Sequence, residues 1–142
     1  MEVIVQDRQR TKRVDPQGVK KWAERILRHL GLKGRELSVL LVEDAEIREL
    51  NRRYLGRDRP TNVLAFPMEG PQSFPLGDVV ISTETAEREA RERGVSLEEE
   101  MALLLAHGVL HLLGYDHERG GEEEALMRAK EEELLQVVLP DR

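Results

Sequence analysis

The sequence predicts an α+β fold, a small four-stranded mixed sheet with surrounding helices, and three observations carry that prediction. Four short apolar runs are bracketed by Gly, Pro and polar residues, the pattern of short strands. Five longer segments read as helices, four of them closed by a glycine. No internal repeat, low-complexity run or linker interrupts the 142 residues, so residues 1–142 form a single domain around one core.

The elements follow in order. "EVIVQ" is a short strand. "VDPQGVKKWAERILRHLG" is a helix with Asp15 as N-cap, Pro16 in its first turn and Gly31 as terminator; Trp22, Ile26 and Leu30 form its apolar face. "ELSVLLV" (Glu36 to Val42) is a buried strand. Asp44 then caps a helix through "AEIRELNRRYLG" that stops at Gly56. "TNVLAFP" and "LGDVVIS" are two further strands joined by a Pro- and Gly-containing loop. "TETAEREARERG" is a helix ended by Gly94. Ser96 with Glu99 makes a capping box for "LEEEMALLLAHGVLHLL", which Gly114 terminates. From Met101 onward that helix is apolar nearly all round, so it is the buried central helix. "GEEEALMRAKEEELLQVV" is the last helix.

Composition narrows the chemistry. The chain has no cysteine, which excludes disulfides and thiolate metal clusters, so any metal is held by His, Asp or Glu. No run approaches the roughly 18 apolar residues of a membrane span, and the N-terminus lacks a targeting pattern, so a cytoplasmic protein without a membrane partner is expected. Net charge is −6 but unevenly spread. The stretches Glu84 to Glu100 and Glu118 to Glu133 each carry −4 and read as solvated helix faces. "RELNRRYLGRDR" (Arg48 to Arg59) carries +3, a candidate phosphate-binding surface.

Three of the four histidines fall in "AHGVLHLLGYDH", at His107, His111 and His117. Residues four apart on a helix share a face, with Cβ atoms roughly 6 Å apart, so His107 and His111 can aim at one point. Gly114 can turn the chain back and bring His117 round to the pair. A shared cation satisfies imidazoles that an apolar helix would otherwise desolvate, and Zn²⁺, one per chain with an open position for water, is the expected cofactor on a zincin-like central helix. His29, in the last turn of the first helix, is expected to serve that helix end. Zinc peptidases with this spacing place a glutamate base directly after the first histidine. Here Gly108 stands there, which disfavours a metallopeptidase-like hydrolase. Asp116 is the nearest candidate for a base or for a partner that orients an imidazole.

"HGVLHLLGYDH" closely resembles the signature H-G-x-L-H-L-x-G-Y-D-H of the YbeY family of bacterial zinc-dependent endoribonucleases. "RPTNVLAFPM" resembles the family's D-x-P-T-[DN]-V-L-S-F-P segment, with Ala65 where Ser is usual, and "LGDVVIS" its L-G-D-I-x-I strand. The resemblance spans nearly the whole chain. It implies that His107, His111 and His117 are zinc ligands, and that the substrate is single-stranded RNA. It further implies work in 16S ribosomal RNA 3′-end maturation and ribosome quality control, with the small ribosomal subunit as partner and no DNA. The family's N-x-x-Y-R arginine, which engages substrate phosphate, is replaced by Leu55. Arg57 or Arg53 is expected to substitute for it, with Arg52, Arg59, Thr61 and Asn62 as substrate-binding neighbours. The alternative from another class is a ribosome-assembly factor that binds RNA around a structural zinc.

Overall fold

The computed structural model describes residues 3–32, 34–68, 75–115 and 121–141. Their elements run β1 (Val3–Asp7), α1 (Pro16–His29), β2 (Leu37–Val42), α2 (Asp44–Leu55), β3 (Val63–Pro67), β4 (Gly77–Ser82), α3 (Thr83–Arg93), α4 (Leu97–Leu112) and α5 (Gly121–Val138). The strands form one mixed sheet in the order β1-β2-β4-β3, with β1 and β4 parallel to β2 and with β3 antiparallel to β4. The α+β architecture expected from the sequence is thus the one observed. Among the described residues, no helix is long and apolar enough to cross a membrane.

Strand periodicity divides the sheet's two faces. Leu37, Val39 and Leu41 of β2, with Val79 and Ile81 of β4, pack into the main core against α1, α4 and α5. Val42, Leu64 and Val80 face the other way and meet Ile47 of α2 in a smaller cluster. α4 is the central element: Met101, Ala102, Leu105, Ala106, Val109 and Leu110 are all essentially inaccessible. Its capping box forms as expected, with Ser96 Oγ accepting from Glu99 N at 3.0 Å.

Local chemistry refines three expectations. The buried stripe of α1 is Val19, Ala23, Ile26 and Leu27, with Trp22 and Leu30 only partly buried at its margins. Asp15 caps that helix by accepting from Gln17 N at 3.0 Å. Asp44 is not the cap of α2: Glu43 occupies the N-cap position without a side-chain capping bond, its carboxylate accepting from Arg10 N at 2.9 Å instead. The Asp44 carboxylate instead accepts from Ser82 Oγ and Thr85 Oγ1, both at 2.6 Å, and from Arg88 at 2.8 Å, which ties α2 to the start of α3. Burial alone would raise its pKa, but the two hydroxyls and the guanidinium outweigh burial and hold it below the ordinary value of 3.8. His29 does lie in the last turn of α1, and it pairs with Glu133 of α5 at 2.6 Å, so it joins two helices.

Two glycines mark places where backbone must come close. At Gly77, φ is +140° and an added Cβ would lie 2.2 Å from the Phe66 carbonyl oxygen. At Gly108, an added Cβ would meet Val79 Cγ1 at 2.6 Å and Cγ2 at 3.1 Å. The helix that carries the histidines therefore sits hard against the central strands, and a glycine is what allows it.

Candidate metal and RNA site

α4 delivers two histidines to the mouth of a cleft of about 380 Å³ beside edge strand β3. Four residues apart on one helix face, the rings of His107 and His111 stand edge-on, with Nε2 of one 3.1 Å from Nε2 of the other. His107 Nδ1 is held in a short contact with Glu131 Oε2, a carboxylate that α5 brings across α4. With Nδ1 donating to that carboxylate, the Nε2 lone pair of His107 is turned toward His111.

This donor set fits a zinc ion. Two nitrogens bound tetrahedrally at 2.0–2.1 Å stand about 3.3 Å apart, close to the observed separation. A carboxylate behind a ligating imidazole is also the usual arrangement at such centres. Among the described residues, no group of three or more His, Asp or Glu side chains gathers to hold a metal. His117, the expected third ligand, and Asp116, the expected base or orienting group, lie outside the described residues. After α4, Gly114 takes φ +96° and Tyr115 N bonds to Leu110 O at 3.0 Å, so the chain does turn where the sequence placed the turn.

A glutamate at the position used by zinc peptidases would meet a steric obstacle here. Any side chain at position 108 would begin inside the methyls of Val79, with Val63 Cγ2 only 3.3 Å away. Gly108 lines the cleft, and the place its Cβ would take is occupied by the methyls of Val79.

The opposite wall is the loop between α2 and β3. Arg57, Arg59, Thr61 and Asn62 line the cleft together with Leu55, His107 and His111. Arg52 and Arg53 do not line it; both are paired with Glu49 on the exposed side of α2, at 2.5 and 3.5 Å. Arg48 is likewise paired, with Asp58 at 2.8 Å. Arg57 and Arg59 have no carboxylate partner among the described residues, so they are the uncompensated cations of the cleft. Asn62 is committed to the protein itself: its Nδ2 donates to Glu89 at 3.0 Å and its Oδ1 accepts from Val63 N at 2.7 Å. It shapes the wall and leaves little capacity for substrate.

Behind His107 the polarity reverses. A smaller pocket of about 290 Å³ is lined by Glu89, Glu92, Glu100 and Glu131, with Arg93 among them. Glu100 is buried and bonded to Arg93. Burial pushes its carboxyl up and Glu89 adds to this, while Arg93 only partly offsets them. The acidic stretches are therefore not wholly solvated faces: Glu89, Glu100 and Glu131 turn inward toward the site. Their sequence context, runs of glutamate on amphipathic helices, contains no signal that singles them out.

A family model described as Endoribonuclease YbeY matches residues 4–138. The chain belongs to the YbeY endoribonuclease family. Curated relatives named Endoribonuclease YbeY include one from Aquifex aeolicus, 54% identical over 94% of this chain and 89% of its own length. Another, from Geobacter metallireducens, is 49% identical over 97% of this chain and 96% of its own. The fold is similar to the solution structure of a Thermotoga maritima protein, with a TM-score of 0.69 and 28% identity over 97% of this chain and 91% of that one. Family membership agrees with the resemblance read from the histidine segment and the two strand motifs.

Proposed function

We propose that this YbeY family member is a zinc-dependent endoribonuclease that cleaves single-stranded RNA in the cleft between α4 and the α2–β3 loop. It acts in 16S ribosomal RNA 3′-end maturation and ribosome quality control, with the small ribosomal subunit as its partner. The observation that carries the reading is the juxtaposition of a paired-histidine donor set with two uncompensated arginines in one cleft.

His107 and His111 would hold the zinc, with His117 as third ligand. When bound, the ion supplies Lewis-acid polarisation of a phosphate oxygen and a nucleophile at neutral pH. Glu131 fixes the tautomer and orientation of His107. Arg57 and Arg59 bind the phosphate backbone and neutralise charge that accumulates on the scissile phosphate. Arg57, which lines the cleft beside Leu55, stands in for the arginine absent there, a reading supported by its lack of a carboxylate partner among the described residues. The cleft's apolar lining, Leu55, Val63, Leu64 and Ala65, is aliphatic and offers no base-stacking platform, which suits a flexible single strand held mainly by its phosphates. A peptidase reading is disfavoured by the filled space at Gly108.

The test is cleavage of a single-stranded RNA carrying the small-subunit 3′ end, beside the same sequence in a duplex. The single strand is expected to be cut and the duplex spared, with activity lost in His111→Ala. Equal cleavage by His111→Ala would overturn the proposal.

A further inference from the structure

We propose that Asn51 is a positioning residue that sets the cleft arginine Arg59 for phosphate binding; this inference rests on the RNA reading of the cleft. Asn51 is the most deeply buried polar side chain of the cleft wall, 2% exposed. It sits on the last turns of α2, directly beneath the loop that carries Arg57 and Arg59. Its backbone carbonyl accepts from Arg57 N at 3.2 Å, completing the helix stop in which Gly56 turns left-handed at φ +70°. Its side-chain Nδ2 donates to the Arg59 carbonyl at 2.9 Å. Arg57 is thus held through main chain that any residue at position 51 would supply, and Arg59 through the amide that only the side chain provides.

The other half of that amide is what separates positioning from ordinary packing. Asn51 Oδ1 is buried and has no hydrogen-bond partner among the described residues. An acceptor buried without a donor carries a desolvation cost that an apolar side chain of similar shape avoids. The amide is thus a poor choice for stability at this site, and its one satisfied bond is the one that pins the arginine loop. Without it the loop keeps its two ends, at Gly56 and at the Ser82 N to Asn62 O bond of 3.0 Å, and the exposed Arg48–Asp58 pair, and loses its buried anchor.

The experiment is a binding cycle on the full, zinc-loaded chain, with a labelled single-stranded oligouridine read by fluorescence anisotropy across a salt series. The proteins are wild type, Asn51→Ala, Arg59→Ala and the double variant. Asn51→Leu, which keeps the branched shape, serves as a second version of the first change, and thermal melts confirm folding. Loss of the anchoring bond is expected to weaken RNA binding about three- to tenfold. The slope of log affinity on log salt should fall by about 0.7 as one phosphate contact is lost. In the Arg59→Ala background, removing Asn51 should change affinity less than twofold, because the group it positions is gone. A purely structural role would instead reduce affinity by the same factor in both backgrounds, and that result overturns the inference. RNA binding that responds to Arg59→Ala but ignores both Asn51 variants also overturns it, and leaves the RNA reading intact. Binding indifferent to Arg59→Ala would bring down the RNA reading of the cleft and this inference together.

Discussion

Replacing Gly108 by alanine tests how tightly the histidine helix is seated. In a solvated helix interior this change is favourable by about 0.8–1.0 kcal/mol, because glycine loses more backbone freedom on folding. Here the new Cβ would lie 2.6 Å from Val79 Cγ1, 3.1 Å from Cγ2 and 3.3 Å from Val63 Cγ2. Val79 is fully buried on β4, which is paired on both sides, so it has little room to yield. Overpacking of this kind costs about 1–3 kcal/mol. The two effects leave a net destabilisation of about 1 kcal/mol, or roughly 2–4 °C in Tm for a chain of this length. The distinguishing feature is a change of sign. In a Val79→Ala background the obstructing methyls are absent, and Gly108→Ala should then stabilise the protein by about 1 kcal/mol. Urea unfolding followed by circular dichroism, at matched zinc content, measures both steps. Stabilisation by Gly108→Ala in the otherwise native chain would refute the close approach, and with it the steric reason for the absent glutamate.

Three further outcomes follow from the site and its supports. Glu131→Ala should lower zinc affinity about 10- to 100-fold, measured by competition with a chelator, because His107 loses the carboxylate that orients it; unchanged affinity would mean the contact has no such role. Arg57→Ala and Arg59→Ala should each weaken single-stranded RNA binding and lower its salt slope by about 0.7, whereas Arg53→Ala, paired with Glu49, should leave both nearly unchanged. Asp44→Ala should cost about 1–3 kcal/mol by removing an acceptor shared by Ser82, Thr85 and Arg88. Because the folded-state pKa of Asp44 is depressed, its contribution is present above 3.8 and is lost as pH falls through the folded value. The stability of the native chain should therefore decline more steeply than that of the variant in that acid range.

Much of this molecule was legible in its residues because the relevant signals are local. Capping residues, helix-ending glycines and alternating apolar runs mark nine elements, and a four-residue spacing on an apolar helix places His107 beside His111. Family motifs added the expected chemistry. What could not be read was set by contacts distant in sequence. Glu131 is one acid in the run Glu131 to Glu133, and only the packing of α5 on α4 selects it as the partner of His107. Arg53 and Arg57 look equivalent in a basic stretch, yet helix phase turns one toward Glu49 while the left-handed Gly56 sends the other into the cleft. Asp44 reads as a helix cap, but three donors from around the α3 N-terminus offer its carboxylate a better set of bonds. Gly108 is visible in the sequence as a missing base; that Val79 and Val63 fill the space is a tertiary fact.

The most direct test of the account is to strip the protein of metal, then restore zinc in measured steps while following cleavage of the single-stranded small-subunit 3′ end. Activity is expected to rise in proportion to bound zinc, to saturate at about one ion per chain and never to appear in His111→Ala. Full-rate cleavage by metal-free protein, or by His111→Ala, would contradict it.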